Sequence, residues 1–131
     1  MKKVFVFFIG IILFGSFSAQ NVNAQSANDA QRIVGTWRSS GHPIFIDGRS
    51  FSNVTYVFNA NGTYILMLTF RGESDEYEEQ GNYFVSNSKI ITSRNNTKEA
   101  SLKDYYLSAD GSVLVIQIGY IHGTHLWLRK Q

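Results

Sequence analysis

The chain has 131 residues, 44% hydrophobic and 15% aromatic, with 12 Lys and Arg, 10 Asp and Glu, and no cysteine. Lack of cysteine excludes a disulfide framework, a thiol nucleophile and thiolate metal ligation, so a small domain of this sequence must hold by packing alone. The net charge of +2 resides in Lys2 and Lys3; without them ten basic and ten acidic side chains balance, leaving no global field to recruit nucleic acid or an anionic membrane surface.

Met1-Lys2-Lys3 is followed by an uncharged apolar run from Val4 to Phe17 and then by a small polar stretch ending Val22-Asn23-Ala24. That order of charge, apolar core and small-residue cleavage site predicts a signal peptide over residues 1–24. Cleavage after Ala24 puts Val22 and Ala24 at the two recognition positions, whereas cleavage after Ala19 would put bulky Phe17 at the first. A spanning helix needs about 20 apolar residues, more than the run supplies, and a lipoprotein anchor needs a cysteine. The expectation is a protein exported to the periplasm or secreted, cleaved and released, not a lipoprotein, with no stable membrane insertion after cleavage. Residues 25–131 then form one domain.

Along that domain the apolar period is two, and turn residues recur at short intervals. A single helical turn is predicted at Ser26 to Gln31, with Ser26 capping the first amides, followed by a strand from Ile33 to Ser40. The connection Gly41 to Ser50 leads to a second strand, Asn53 to Phe58. Asn59-Ala60-Asn61-Gly62 is a hairpin turn, because Asn and Gly tolerate the positive φ that such turns demand; Thr63 to Phe70 pairs back. Strands over Gly81 to Val85, Lys89 to Thr92, Tyr105 to Leu107, Val113 to Ile118 and His125 to Lys130 complete the order. The segments Phe58-Asn-Ala-Asn-Gly-Thr63 and Leu107-Ser-Ala-Asp-Gly-Ser112 use the same hairpin chemistry twice. An all-β meander of about eight antiparallel strands, closed into an up-and-down barrel that hides its edges, is the expected fold.

Two strands are apolar on both faces. Tyr64, Leu66, Leu68 and Phe70 point one way and Ile65 and Met67 the other; Val113 and Val115 back onto Leu114, Ile116 and Ile118. A one-sided sheet would show a polar face. Either a terminal segment or partner chain, including a second copy, covers the outer face, or the lumen is apolar and the outside is an interface.

Gly35-Thr36-Trp37, at the start of the first strand, resembles the Gly-x-Trp motif of lipocalins and related calycins. With the hairpin segments, Gly81-Asn-Tyr-Phe84 and Tyr106-Leu-Ser-Ala-Asp-Gly111, the whole mature chain resembles the small lipocalin-like domains of exported bacterial proteins. The resemblance implies that Gly35 and Trp37 close one end of the barrel beneath a basic side chain from the last strand, Arg129 or alternatively Lys130, stacked on the indole. It also implies that the connection containing Ile44, Phe45 and Ile46 covers the cavity mouth; by pattern alone the same three residues are a short strand. The domain is shorter than a typical lipocalin and lacks its C-terminal helix.

No motif for catalysis is present: no Gly-x-Ser-x-Gly elbow, His-Glu-x-x-His pair or phosphate loop. His122 and His125 lie three apart, which on a strand sends them to opposite faces; no metal site and no cofactor are predicted. Glu73, Asp75, Glu76, Glu78 and Glu79 crowd into seven positions without the alternating spacing of a calcium loop, and read as a solvated hairpin partly balanced by Lys89, Arg94, Lys98 and Lys103. The aromatic supply suits a pocket. The chain is accordingly expected to be a non-enzymatic binding protein holding a small hydrophobic or amphipathic ligand in its lumen, with Tyr56, Tyr64, Leu66, Leu68, Phe70 and Phe45 as ligand contacts. The alternative is a closed barrel, filled by its own side chains, that acts through its surface as an inhibitor or interaction module of the cell envelope.

Overall fold

The structure, a computed structural model, describes residues 27–39, 44–46, 48–72, 76–97, 99–118 and 124–131. The predicted signal peptide and Ser26 lie outside these residues. A short helix, α1, spans residues 27–33, and nine strands follow: β1 Gly35–Ser39, β2 Ile44–Ile46, β3 Arg49–Phe58, β4 Thr63–Phe70, β5 Glu76–Ser86, β6 Lys89–Arg94, β7 Ala100–Leu107, β8 Val113–Ile118 and β9 Thr124–Lys130. All neighbours are antiparallel, in the order β1-β9-β8-β7-β6-β5-β4-β3-β2, and β1 also pairs with β3. That pairing closes the sheet. β1 lies against Thr55–Phe58 of β3 and β2 against Arg49–Phe51 of the same strand, so the two share one position and the barrel has eight. The apolar triplet Ile44-Phe45-Ile46 is therefore a strand continuing the line of β1.

The connections are of two kinds. The β3–β4, β5–β6 and β7–β8 turns lie at the end of the barrel where α1 enters. They are tight: Gly62 and Gly111 take φ of 84° and 74°, and Asn87 and Ser88 both adopt positive φ, as a two-residue hairpin requires. The amide of Gly62 donates to Asn59 O and that of Gly111 to Ser108 O, the repeated chemistry expected of the two matching segments.

The same end is sealed. Ile33 at the end of α1 and Trp37 of β1 are fully buried, packed with Phe58, Tyr83, Ile90, Leu114 and Leu128. Trp37 Nε1 donates to Ile33 O at 2.7 Å, and Phe58 meets Tyr83 edge-on at 4.8 Å between centroids. Arg32 holds α1 to the β7–β8 turn by donating to Ser108 O and Ala109 O, and Tyr105 donates to Asp29. These bonds tie the helix down as a plug.

The cation above Trp37 is Lys130, with Nζ 5.4 Å from the ring centroid, and not Arg129. Register is the reason: Trp37 pairs directly with Lys130, while Arg129 pairs with Arg38 and Val113, one residue out of phase and hence on the opposite face. Gly35 provides the space, since a Cβ there would lie 3.0 Å from Lys130 Cε.

Two further departures from the predicted elements matter for the interior. β3 begins at Arg49 and slips register between Phe51 and Asn53. This bulge puts Phe51 and Val54, of opposite parity, both inside. β5 begins at Glu76 and β7 at Ala100, so both reach far beyond their predicted starts toward the end opposite α1.

Candidate functional site

Above the floor the described residues border a cavity. It occupies the barrel's upper half with a volume of about 660 Å³, within the size range of small-molecule sites. Strand pleat determines what lines it, because alternate residues of each strand face inward. From β3 and β4 come Phe51, Val54, Tyr56, Leu66, Leu68 and Phe70, an apolar wall; Ile118 and Leu126 of β8 and β9 add to it. Phe51 and Phe70 pack with centroids 4.8 Å apart. Arg49, at the rim, lies with its guanidinium carbon 4.0 Å from the Phe70 centroid.

β5, β6 and β7 supply a polar wall: Glu79, Arg94, Ser101 and Lys103. Glu79 is nearly enclosed, its side chain 10% exposed, and its carboxylate accepts from Arg94 Nε at 2.6 Å and from the Tyr64 hydroxyl at 2.6 Å. Lys103 Nζ donates to Thr92 Oγ1 at 3.1 Å and to Ser101 Oγ at 2.9 Å. Burial pulls the Lys103 ammonium below its ordinary range, with Glu79 opposing and Arg94 adding to the shift. Burial also raises the phenols of Tyr56 and Tyr64, both reinforced by Glu79, which is a hydrogen-bond partner of Tyr64.

Of the ligand contacts predicted from sequence, Tyr56, Leu66, Leu68 and Phe70 line this cavity. Tyr64 faces inward too but lies lower, 1% exposed, where it supports Glu79 instead of bordering the open space. Phe45 is 60% exposed on β2 and is not part of the lining. The residues that sequence reasoning missed are Arg49, Glu79, Arg94, Ser101 and Lys103. Their signal was parity: once β5 is extended to Glu76, Tyr77, Glu79, Gly81 and Tyr83 share one face, and Ser101, Lys103, Tyr105 and Leu107 do so on β7. The acidic stretch is thus split, with Glu76 and Glu78 exposed and Glu79 turned inward against Arg94; residues 73–75 and Lys98 lie outside the described residues. So do His42 and His122. His125 is exposed, and among the described residues no group of three potential metal ligands assembles.

Outside the barrel, cross-strand rows of apolar side chains run over β5–β9. Phe84, Ile91 and Leu102 are successive partners, as are Tyr106, Val115 and Trp127; Phe84, Leu102, Tyr106 and Trp127 are each more than half exposed.

No protein-family model and no curated protein matches the chain. Among solved structures, a lipocalin-like protein from Bacteroides uniformis ATCC 8492 superposes with a TM-score of 0.53 at 19% sequence identity, over 76% of this chain and 99% of that one. At that identity the likeness concerns the fold. The closed eight-position barrel, the sealing Trp37 and this superposition together give the chain a lipocalin-like, calycin fold.

Proposed function

We propose that the protein is an exported carrier that holds a small hydrophobic or amphipathic ligand in its barrel. The observation that carries this reading is the cavity of about 660 Å³, lined by an apolar and a polar wall, above the sealed α1 end. A closed barrel of eight positions can fill itself with side chains, so an unfilled upper half beside an apolar wall of Phe, Tyr, Leu, Ile and Val side chains favours a site for a guest. Lipocalin-like folds typically bind rather than transform their ligands, which supports a binding role over a catalytic one. The apolar run Val4 to Phe17 and the Ala24 site favour export, with the barrel released into the periplasm or medium.

Native mass spectrometry of the protein purified from its source, before and after organic extraction, tests the reading. A bound species of small-molecule mass that extraction removes is expected. A bare protein that also takes up no apolar probe would overturn it. A second reading, an interaction module, draws on the exposed Tyr106 and Trp127, which flank buried Val115 across three strands; a stable dimer or hetero-complex in the same spectra would favour it.

A further inference from the structure

Among the described residues the charges that border the cavity are unbalanced. Four ionisable side chains of fixed sign border it, Arg49, Arg94 and Lys103 against Glu79. Glu79 is already satisfied, since one oxygen takes the Arg94 Nε–H and the other the Tyr64 hydroxyl. This leaves two cations without a carboxylate among the described residues. Arg49 stands at the rim over Phe70 and is exposed to water. Lys103 is the instructive one, because it projects into the interior from the middle of β7.

An ammonium has three N–H donors and no acceptor. Those of Lys103 meet two hydroxyls, Thr92 Oγ1 and Ser101 Oγ, which are themselves cross-strand partners on β6 and β7. Hydroxyls orient a cation but do not neutralise it, and Glu79, which favours the ammonium through space, is already bonded to Arg94 and Tyr64, so a partly desolvated charge stands here without a carboxylate in contact, which is unfavourable. Removing Lys103 to the outer face would need only a shift of one residue, yet the strand directs it inward. Ser101 Oγ accepts from Lys103 and retains its own proton for a further acceptor. A carboxylate-like group placed there would receive a charge-assisted bond from Nζ and a second from the hydroxyl. Across the lumen from this wall, β4 offers Leu66, Leu68 and Phe70, with no polar atom in their side chains.

We infer that the guest is a single-chain amphipathic anion, its acidic head seated on Lys103 Nζ and Ser101 Oγ and its apolar tail lying along Leu66, Leu68 and Phe70. This rests on the carrier reading above and adds to it a ligand class and a head-group residue. Arg49 at the rim attracts the head during entry, and the Glu79–Arg94 pair keeps Arg94 from competing for it. Lys103 is thus the specificity determinant, and the β4 face supplies affinity common to any tail.

Three probes with one tail and different heads separate these statements: dodecanoate, dodecanol and dodecylammonium, titrated calorimetrically into delipidated protein purified after expression of the full chain. Dodecanoate is expected to bind roughly tenfold or more tighter than dodecanol, the size of one charge-assisted hydrogen bond, and dodecylammonium weakest. In Lys103→Met, which keeps the length of the stem, dodecanoate and dodecanol should bind alike, with dodecanol within about twofold of its wild-type affinity. Lys103→Arg should restore a preference for the anion. Equal affinity of wild type for dodecanoate and dodecanol, or a preference that survives Lys103→Met, would overturn the head-group assignment while leaving the carrier reading intact. No binding of any of the three would overturn the carrier reading and this inference together. Circular dichroism of each variant confirms that it is folded before it is titrated.

Discussion

Lys130 lies across the indole of Trp37, with Nζ 5.4 Å from the ring centroid and a hydrogen bond of 2.9 Å from the same ammonium to Arg32 O. One side chain therefore joins the last strand to the first and both to the end of α1. Trp37 in turn donates to Ile33 O, so the floor is a closed circuit of helix, first strand and last strand. Lys130→Met should lower stability by about 1 kcal/mol, the sum expected of a weak cation–π contact and one exposed hydrogen bond. Arg129→Met, one residue along and on the outer face, should change it by less than about 0.5 kcal/mol. Urea midpoints of the two variants measure this, and a larger loss from Arg129→Met would refute the assignment.

Gly81 sits where three strands converge, opposite Tyr64 on β4 and Arg94 on β6. A Cβ at this position would lie 2.0 Å from Ser93 O and 2.9 Å from Tyr64 Cε1. The first neighbour is backbone and cannot swing aside. The missing Cβ leaves room for the β6 backbone at Ser93 and for the Tyr64 ring, whose hydroxyl donates to Glu79. Gly81→Ala should therefore cost about 3 kcal/mol, at the upper end for overpacking. It should also weaken the tethering of Glu79, seen as a shift of the Glu79 side-chain resonances in NMR. Near wild-type stability in thermal unfolding would show that β6 moves aside freely and that the close approach is not required here.

How far the sequence revealed this molecule varies by strand in an informative way. Thr63–Phe70 and Val113–Ile118 have the predicted bounds, because β-branched and aromatic residues dominate them. The Asn-Gly and Asp-Gly turns were legible for a local reason, the positive φ at Gly62 and Gly111. The starts of β5 and β7 were not. Residues 76–80 read Glu-Tyr-Glu-Glu-Gln and residues 100–104 read Ala-Ser-Leu-Lys-Asp, compositions that signal a solvated loop. They are strands because their neighbours' ladders extend over them, and their inward charges border a cavity, Glu79 paired with Arg94 and Lys103 held by two hydroxyls. Local pattern fails along the polar wall of the candidate site, as expected where a function competes with folding preferences. The choice between Arg129 and Lys130 needed the β1–β9 register, a long-range relationship that no local pattern encodes.

Alkaline pH should unfold the protein cooperatively. Tyr56, Tyr64 and Tyr105 have phenols raised above the ordinary value by burial, with Glu79 reinforcing Tyr64 and Asp29 reinforcing Tyr105. In the unfolded chain they ionise near pH 10. Their contribution is fully present below that value and is lost as pH climbs through it toward the folded values, since the unfolded state then releases protons that the folded state retains. Lys103 acts in the opposite sense: its lowered value means that the unfolded state binds the extra proton, so stability rises with pH between its folded and unfolded values. These three phenols, with that of Tyr83 raised in the same sense by burial, against one amine leave a net loss above about pH 10. Tyrosinate absorbance from these residues should appear together with the loss of far-ultraviolet circular dichroism. Ionisation of every tyrosine near pH 10 in a protein that keeps its β-sheet signal would contradict the burial of these phenols.

Leu68 and Phe45 provide the sharpest contrast between lumen and surface. Leu68 lies on the inner face of β4 within the apolar wall, while Phe45, on β2, is 60% exposed. Leu68→Glu puts an anion where an apolar tail would lie and near the carboxylate of Glu79, whose strand partner Leu66 is two residues away. Desolvation of the new charge, or the water it draws in, removes the favourable transfer of the tail. Binding of a neutral apolar probe should fall by at least about tenfold, the equivalent of one or two buried methylenes. Phe45→Ser should leave uptake within about twofold, because scattered exposed apolar side chains carry little energy unless something covers them. Fluorescence titration with the same neutral probe reads both variants. If Phe45→Ser proved the more damaging, β2 would have to close over the mouth on binding, and the lid implied by the lipocalin resemblance would describe the ligand-bound state of residues 44–46.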